Sequence, residues 1–168
     1  MCKLTSTSIA ADGQAVATAL NSIAVELAKT NPTLAANLKT AATALVTATA
    51  NWQTGTPTAD IETAATAIEA LLNAIPQTAA YAPFVAIAVA ALDIILANIG
   101  TQSVQTGDKV ANALKVTDHV ETVLPPNAWR GEYKIQGFRA HFENPRAAFA
   151  QAWNKQTDKQ PEFNFPKL

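Results

Sequence analysis

The chain has 168 residues and a net charge of −1, so it is long enough for one domain with a hydrophobic core and has no general electrostatic attraction to nucleic acid or acidic lipid. Alanine dominates, threonine accompanies it, glycine occurs only six times and Asn-Gly hairpin turns are absent. Since alanine strongly favours helix, this composition predicts an all-α protein.

Cys2 is the only cysteine, which excludes an internal disulfide and a cysteine-based zinc site. The opening residues Met-Cys-Lys-Leu-Thr-Ser-Thr-Ser contain no apolar stretch of the kind found in secretory signals. We therefore expect a cytoplasmic protein, alone or incorporated into a larger assembly.

Three amphipathic helices are predicted first. The first spans about residues 8–29, although Gly13 is expected to weaken its first turns; Asn31-Pro32 starts the second, which ends near Trp52. Thr58 caps the third, which Pro76 ends. Their apolar stripes recur at three and four residues, as one helical face requires: Val16, Leu20, Ile23 and Leu27; Leu34, Leu38, Ala41, Leu45, Ala48 and Trp52; Ile61, Ala65, Ile68, Leu72 and Ile75.

The fourth predicted helix, within residues 81–100, is apolar on all sides. Between Pro83 and Ile99 only Asp93 and Asn98 are polar, so this helix must be covered over most of its circumference. Short connections favour an antiparallel bundle of about four helices over residues 8–99, with the first three helices covering the fourth.

Lipid is the alternative cover for the fourth helix. A helix from Pro83 to Ile99 would be about 25 Å long, whereas a hydrocarbon core is about 30 Å thick. Asp93 near the centre of a span would cost about 2.5–3.5 kcal/mol. We therefore prefer burial in protein, and keep as the alternative function a membrane-active protein, holin-like or pore-forming, that inserts the 60–99 hairpin.

The chain changes character near residue 100. Three of its aromatic residues precede Gly100 and eight follow it, so we divide it into a 1–100 helical bundle and a 101–168 aromatic and basic extension that packs on the bundle or on a partner subunit. The extension is predicted to contain a short helix over 108–120, a mixed or extended segment over 129–142, a last short helix after Asn144-Pro145 and an extended arm over 160–168.

Motifs for catalysis, cofactors and metals are missing from the sequence. It contains no Gly-x-Ser-x-Gly nucleophile motif, and in the stretch from Gly100 to Lys109 the spacing is wrong for a P-loop and Asp108 would repel phosphate. Nothing in the spacing of His119 and His141 forces metal ligands to converge. We predict no enzyme activity, cofactor, metal or small-molecule substrate. Asp93 is either a proton-sensitive or ion-lining carboxylate, or a group at the bundle surface or bonded to a nearby hydroxyl.

Basic and aromatic residues interleave in the extension, a mixture that suits either stacking on nucleic acid or anchoring at a protein interface. Acidic neighbours such as Glu132 and Glu143 dilute the charge, so we predict an interface with a protein partner or a second copy and expect no nucleic acid. The predicted partner-binding residues are the large aromatic ones: Trp129, Tyr133, Phe138, Phe142, Phe149, Trp153, Phe163 and Phe165.

These observations predict a non-enzymatic structural or protein–protein interaction module, a helical bundle with an anchoring C-terminal arm. In its alanine-rich helical composition the chain resembles accessory or virion proteins of bacterial viruses, and that resemblance implies an assembly or virion-associated component. Deleting residues 160–168 is then expected to weaken assembly without unfolding the bundle.

Overall fold

A computed structural model describes residues 6–53, 57–99 and 145–168. Within these ranges the secondary structure is helical, without strands, which confirms the all-α class. The helices are α1 (Ser6–Leu27), α2 (Pro32–Asn51), α3 (Ala59–Asn73), α4 (Ala82–Asn98) and α5 (Pro145–Lys159), followed by a 3-10 turn over Pro161–Phe163. The short helix predicted over 108–120 and the mixed segment over 129–142 lie outside the described residues.

The first four helices form a closed ring of neighbours. α1 packs along α2, α2 along α3, α3 along α4, and α4 returns to α1. Gly13 near the start of α1 meets Thr49 near the end of α2, so these two helices run antiparallel. α5 lies against α4 and also contacts α1, and all five helices contribute to one hydrophobic core.

The helix starts follow the predicted capping residues, with one difference in detail. Asn31 caps α2 by accepting a hydrogen bond from the backbone N–H of Leu34 at 3.0 Å, ahead of Pro32 in the first turn. Thr58 occupies the capping position of α3, but its hydroxyl bonds to the Glu62 carboxylate instead of a backbone N–H. The chain therefore begins α3 where predicted, through a different bond.

Gly13 does not weaken α1 as expected; it permits the close approach of α1 and α2. The helix already begins at Ser6, and Gly13 is buried. A Cβ atom added at Gly13 would lie 2.1 Å from Oγ1 and 2.8 Å from Cβ of Thr49, so only glycine fits. The conformational cost of glycine in a helix is thus offset by packing that no larger residue would allow.

Threonine hydroxyls donate hydrogen bonds to backbone carbonyl oxygens of their own helix, which explains how a threonine-rich chain remains helical. On the exposed face of α2, Thr40, Thr43 and Thr47 each donate to the carbonyl oxygen four residues earlier, at 3.0–3.1 Å. Thr49 does the same inside the core, at 2.8 Å from the Leu45 carbonyl. Such bonds leave no buried hydroxyl unpaired at Thr49.

α4 is covered by its own chain. α1, α3 and α5 all pack against it, and most of its described side chains are buried: Phe84, Val85, Ile87, Ala88, Ala90, Ala91, Leu92, Asp93, Ile95 and Leu96. The predicted burial of this helix in protein is therefore what the fold shows, but the prediction that the first three helices cover it was wrong in one member. α2 packs between α1 and α3, and α5 takes its place as the third main neighbour of α4. Among the described residues no helix has the length and apolarity that a membrane span requires.

Candidate functional site

An aromatic cluster joins the start of α4 to the C-terminal residues. The Phe84 ring lies at its centre, 4.9 Å from the Trp153 ring, 4.7 Å from the Phe165 ring and 5.9 Å from the Phe163 ring, all edge-on. Tyr81 meets Phe163 edge-on at 6.2 Å. Edge-to-face pairs of this kind add about 0.5–1.5 kcal/mol each to the free energy of burial.

Hydrogen bonds hold the tail against α5. The indole N–H of Trp153 donates to the Pro166 carbonyl at 2.9 Å. The Asn154 side chain makes two bonds with Leu168, donating to its carbonyl and accepting from its N–H, each at 2.9 Å. The chain turns back through Asn164, whose φ of 49° is left-handed, a conformation that asparagine tolerates better than most residues. The arm predicted to be extended therefore includes a turn and folds onto its own helix.

Two polar contacts tie this C-terminal region to the bundle. The Gln160 side-chain amide donates to the Ala80 carbonyl at 2.9 Å, just before α4 begins. At the other end of α5, Nε of Arg146 lies 2.7 Å from Oδ1 of Asp12 in α1. The two contacts lie at the two ends of α5, so each end of the helix is joined to the bundle.

Burial raises the pKa of the Asp12 carboxyl above its ordinary value of 3.8, although the hydrogen bond and charge of Arg146 act in the opposite direction. The Asp12 side chain is 12% exposed and that of Arg146 41% exposed. Desolvation of the carboxylate therefore outweighs the attraction of a guanidinium that is still partly in water.

The predicted partner-binding residues fall into two groups. Phe149, Trp153 and Phe165 are buried in the core of their own chain, and Phe163 is half-buried beside Tyr81 and Phe84. Trp129, Tyr133, Phe138 and Phe142 lie outside the described residues. The structure thus gives three of the eight an internal packing role, and partner binding by any of the eight stays a prediction.

Asp93 lines a groove between the end of α3 and the exposed side of α4. The groove has a volume of about 230 Å³, and its walls are mainly apolar, with Leu72, Ile75, Val85 and Val89 among them. Asp93 is only 6% exposed, so it does not lie at the bundle surface as one of the two interpretations held. The other part of that interpretation, a bond to a nearby hydroxyl, stays a prediction, and so does a role as a proton-sensitive or ion-lining group.

Trp52 carries a buried donor at the end of α2. Its ring is buried as predicted from the α2 stripe, and within the described part of the chain its indole Nε1–H has no acceptor. A buried N–H without a partner costs roughly 1–3 kcal/mol.

Sequence reasoning missed the residues that place α5: Asp12, Asn154 and Gln160. Their partners lie 134, 14 and 80 positions away in the chain, so no local pattern indicates them. Arg146 is one of the basic residues that interleave with aromatic ones in the 101–168 extension, and the structure pairs it with Asp12 of α1. In residues 6–53, 57–99 and 145–168 no three His, Cys, Asp or Glu side chains are placed to hold a metal ion; His119 and His141 lie outside these ranges.

Comparison of the chain with known protein families, with curated proteins and with solved structures finds no match.

Proposed function

We propose that this chain is a non-enzymatic structural or protein–protein interaction module, in which the helical bundle is a scaffold and partner contacts come from the aromatic and basic residues between α4 and α5. The proposal includes a place in a larger assembly, in a cytoplasmic or virion setting. The proposal rests on one observation: the C-terminal helix and tail pack on the bundle of the same chain. This packing buries Phe149, Trp153 and Phe165 in the chain's own core.

Because those three side chains pack inside the protein, fewer aromatic residues remain as candidates for binding a partner. Trp129, Tyr133, Phe138 and Phe142 remain, and Arg130, Lys134 and Arg139 alternate with them in the sequence. Aromatic residues and arginine supply most of the binding energy at protein interfaces. The bundle fixes the chain on both sides of this stretch, at the end of α4 and at the Asp12–Arg146 contact.

The described surface of the bundle exposes few large hydrophobic side chains. Val25, with 55% of its surface exposed, is the one large hydrophobic side chain of the described residues that stands out into solvent. Isolated exposed hydrophobic residues are normal on soluble surfaces. This favours the stretch around residues 129–142 over the described helices as the place where a partner binds.

Alanine substitution of Trp129, Tyr133, Phe138 and Phe142 tests the proposal. Static light scattering of the purified chain over a dilution series measures self-association, and capture from the source lysate compares partners of the wild type and the variant. We expect the quadruple variant to lose association or captured partner while its thermal unfolding midpoint is unchanged. Val25→Ala is the matched control and should change neither measurement.

A wild-type chain that stays monomeric and captures the same proteins as the quadruple variant would contradict the proposal. Flotation with anionic liposomes distinguishes the proposed interaction module from the alternative, a membrane-active protein. The proposed module stays in the aqueous fraction at neutral pH and after acidification, which would protonate Asp93, whereas a protein that inserts residues 60–99 floats with the vesicles.

A further inference from the structure

Residues 145–168, which we call the C-terminal hook, are joined to one another by several contacts of their own. The Trp153–Pro166 bond and both Asn154–Leu168 bonds lie within the hook. The side chains of Gln156 and Gln160 bond to each other at 2.7 Å at the point where the helix ends. The stacked rings of Trp153 and Phe165, 5.6 Å apart, fill the bend of the hook.

The hook packs on a surface of the bundle that we call the seat, which is formed by Asp12, Tyr81 and Phe84 and is mainly aromatic. Phe84, at the start of α4, is fully buried against the rings of Trp153 and Phe165. A polar contact lies at each end of the hook's helix, Gln160 with Ala80 and Arg146 with Asp12. Since the bonds that shape the hook are internal to it, its contacts with the seat would be the same whichever copy of the chain supplied it.

We propose that the seat formed by Asp12, Tyr81 and Phe84 is a binding site for the C-terminal hook of a second copy, so that two chains can exchange hooks and form a dimer. Residues 100–144 separate the seat-bearing helix from the hook, a long stretch of chain between two halves of one interface. An exchanged dimer repeats the intramolecular contacts and therefore needs no new complementary surface.

Concentration decides between the closed monomer and the exchanged dimer. Closure within one chain does not depend on the protein concentration, whereas exchange joins two chains, so the exchanged dimer becomes more populated where copies are crowded, as in an assembly. This inference goes beyond the proposed function, because it uses none of the residues between 129 and 142. Either proposal can fail without the other.

A cross-linking experiment tests the exchange. In a Cys2→Ser background, Ala80→Cys and Gln160→Cys place thiols at the exposed residue just before α4 and at the hook residue that bonds there. The full chain is unfolded, refolded at concentrations from about 10 μM to 2 mM, separated by gel filtration, diluted and treated with a short bis-maleimide. We expect the dimer-to-monomer ratio to rise about tenfold for each tenfold rise in free monomer, and the dimer to carry interchain links.

The matched control pair is Asp158→Cys with Lys167→Cys, which joins two exposed residues inside the hook. This pair should give intrachain links in monomer and dimer alike. A second measurement needs only single variants. Chains carrying Ala80→Cys are labelled with a donor dye, and chains carrying Gln160→Cys are labelled with an acceptor dye. After the two are refolded together, exchange should produce energy transfer between the dyes. Absence of dimer up to about 2 mM, the top of the refolding range, or a dimer whose 80–160 links are all intrachain, would overturn the proposal.

Discussion

The ring of Phe84 lies 4.9 Å from the ring of Trp153, and both side chains are fully buried. This contact joins the start of α4, the most apolar helix of the chain, to a helix more than sixty positions later. With this contact, one part of the circumference of α4 is covered by α1, one by α3 and the third by residues supplied from the C-terminus.

Phe84→Ala should destabilise the protein strongly, because it removes the central ring of the aromatic cluster and leaves a cavity. Core Phe→Ala substitutions cost about 3–5 kcal/mol. Urea unfolding followed by tryptophan fluorescence measures the change, since Trp153 lies in direct contact. Phe84→Leu, which keeps most of the volume, should cost less than half as much. Equal costs for both substitutions would contradict the cavity as the cause, because leucine restores most of the lost volume.

Gly13→Ala should destabilise the protein although it raises helix propensity. In an exposed helix the change would stabilise by about 0.5–1 kcal/mol, but here the new methyl group would lie 2.1 Å from Oγ1 of Thr49. Overpacking of this kind costs about 1–3 kcal/mol. Thermal unfolding provides the measurement.

The matched controls for Gly13→Ala are a neighbouring substitution and a compensating one. Gln14→Ala, at an exposed position of the same helix, should have an effect below about 0.5 kcal/mol. In the Gly13→Ala, Thr49→Ala double variant part of the loss should be recovered, because the clashing hydroxyl and methyl are gone. Strictly additive costs would mean that the two residues do not pack together.

Removing residues 160–168 should lower the free energy of unfolding, whereas the sequence alone led to the expectation that this arm could be deleted without unfolding the bundle. Phe165 is buried, and Phe163 and Phe165 cover Phe84. Losing this burial costs about 2–4 kcal/mol. Lys167→Ala is the control: its ion pair with Asp158 joins side chains that are 56% and 65% exposed, so we expect almost no change. If the urea midpoint were unchanged by the truncation, the arm would not contribute to the core, contrary to this prediction.

The Asp12 carboxyl should make stability depend on pH in a defined direction. Its pKa is raised in the folded state, so folding favours the protonated form; this contribution is complete below pH 3.8 and is lost as the pH rises through the folded-state pKa. Asp12→Asn, which stays neutral, should therefore gain stability relative to wild type as the pH increases over that window. Urea midpoints between about pH 3 and pH 8 measure the difference.

Arg146→Met removes the positive partner of Asp12 and keeps the carboxyl, whereas Asp12→Asn removes the carboxyl. Removing the guanidinium leaves an ionised Asp12 poorly solvated, so the loss of stability should appear above pH 3.8 and fade below it. If the Arg146→Met effect were the same at about pH 3 and about pH 7, the pair would not be the source of the pH dependence.

Much of the helical architecture could be predicted because it follows local rules. The Asn31-Pro32 start of α2 and the three-and-four spacing of Leu38 and Leu45 depend on residues within a few turns, and the structure places them as expected. The uninterrupted apolar run of α4 also required burial on several sides, whichever residues supplied it.

The remaining features depend on contacts between distant residues. Taken locally, Gly13 is a poor helix former, and only the proximity of Thr49 explains it. Likewise, nothing around Asp12 indicates that Arg146 will lie beside it. Composition marks the eight aromatic residues after Gly100 as a group, but it does not indicate that Trp153 and Phe165 face the chain's own core.

The most direct test of the central claim, that the chain's own helices bury α4, is thiol accessibility at two neighbouring residues of that helix. Ala86 is exposed and Ile87 is 1% exposed, so in a Cys2→Ser background the single variants Ala86→Cys and Ile87→Cys probe different sides of α4. Without lipid or detergent, we predict that the thiol of the Ala86→Cys variant reacts with maleimide within seconds to minutes. The thiol of the Ile87→Cys variant should react at least about a hundredfold more slowly until urea unfolds the chain, because it becomes accessible only when the core opens. Equal reactivity of the two thiols in the folded protein would contradict the account.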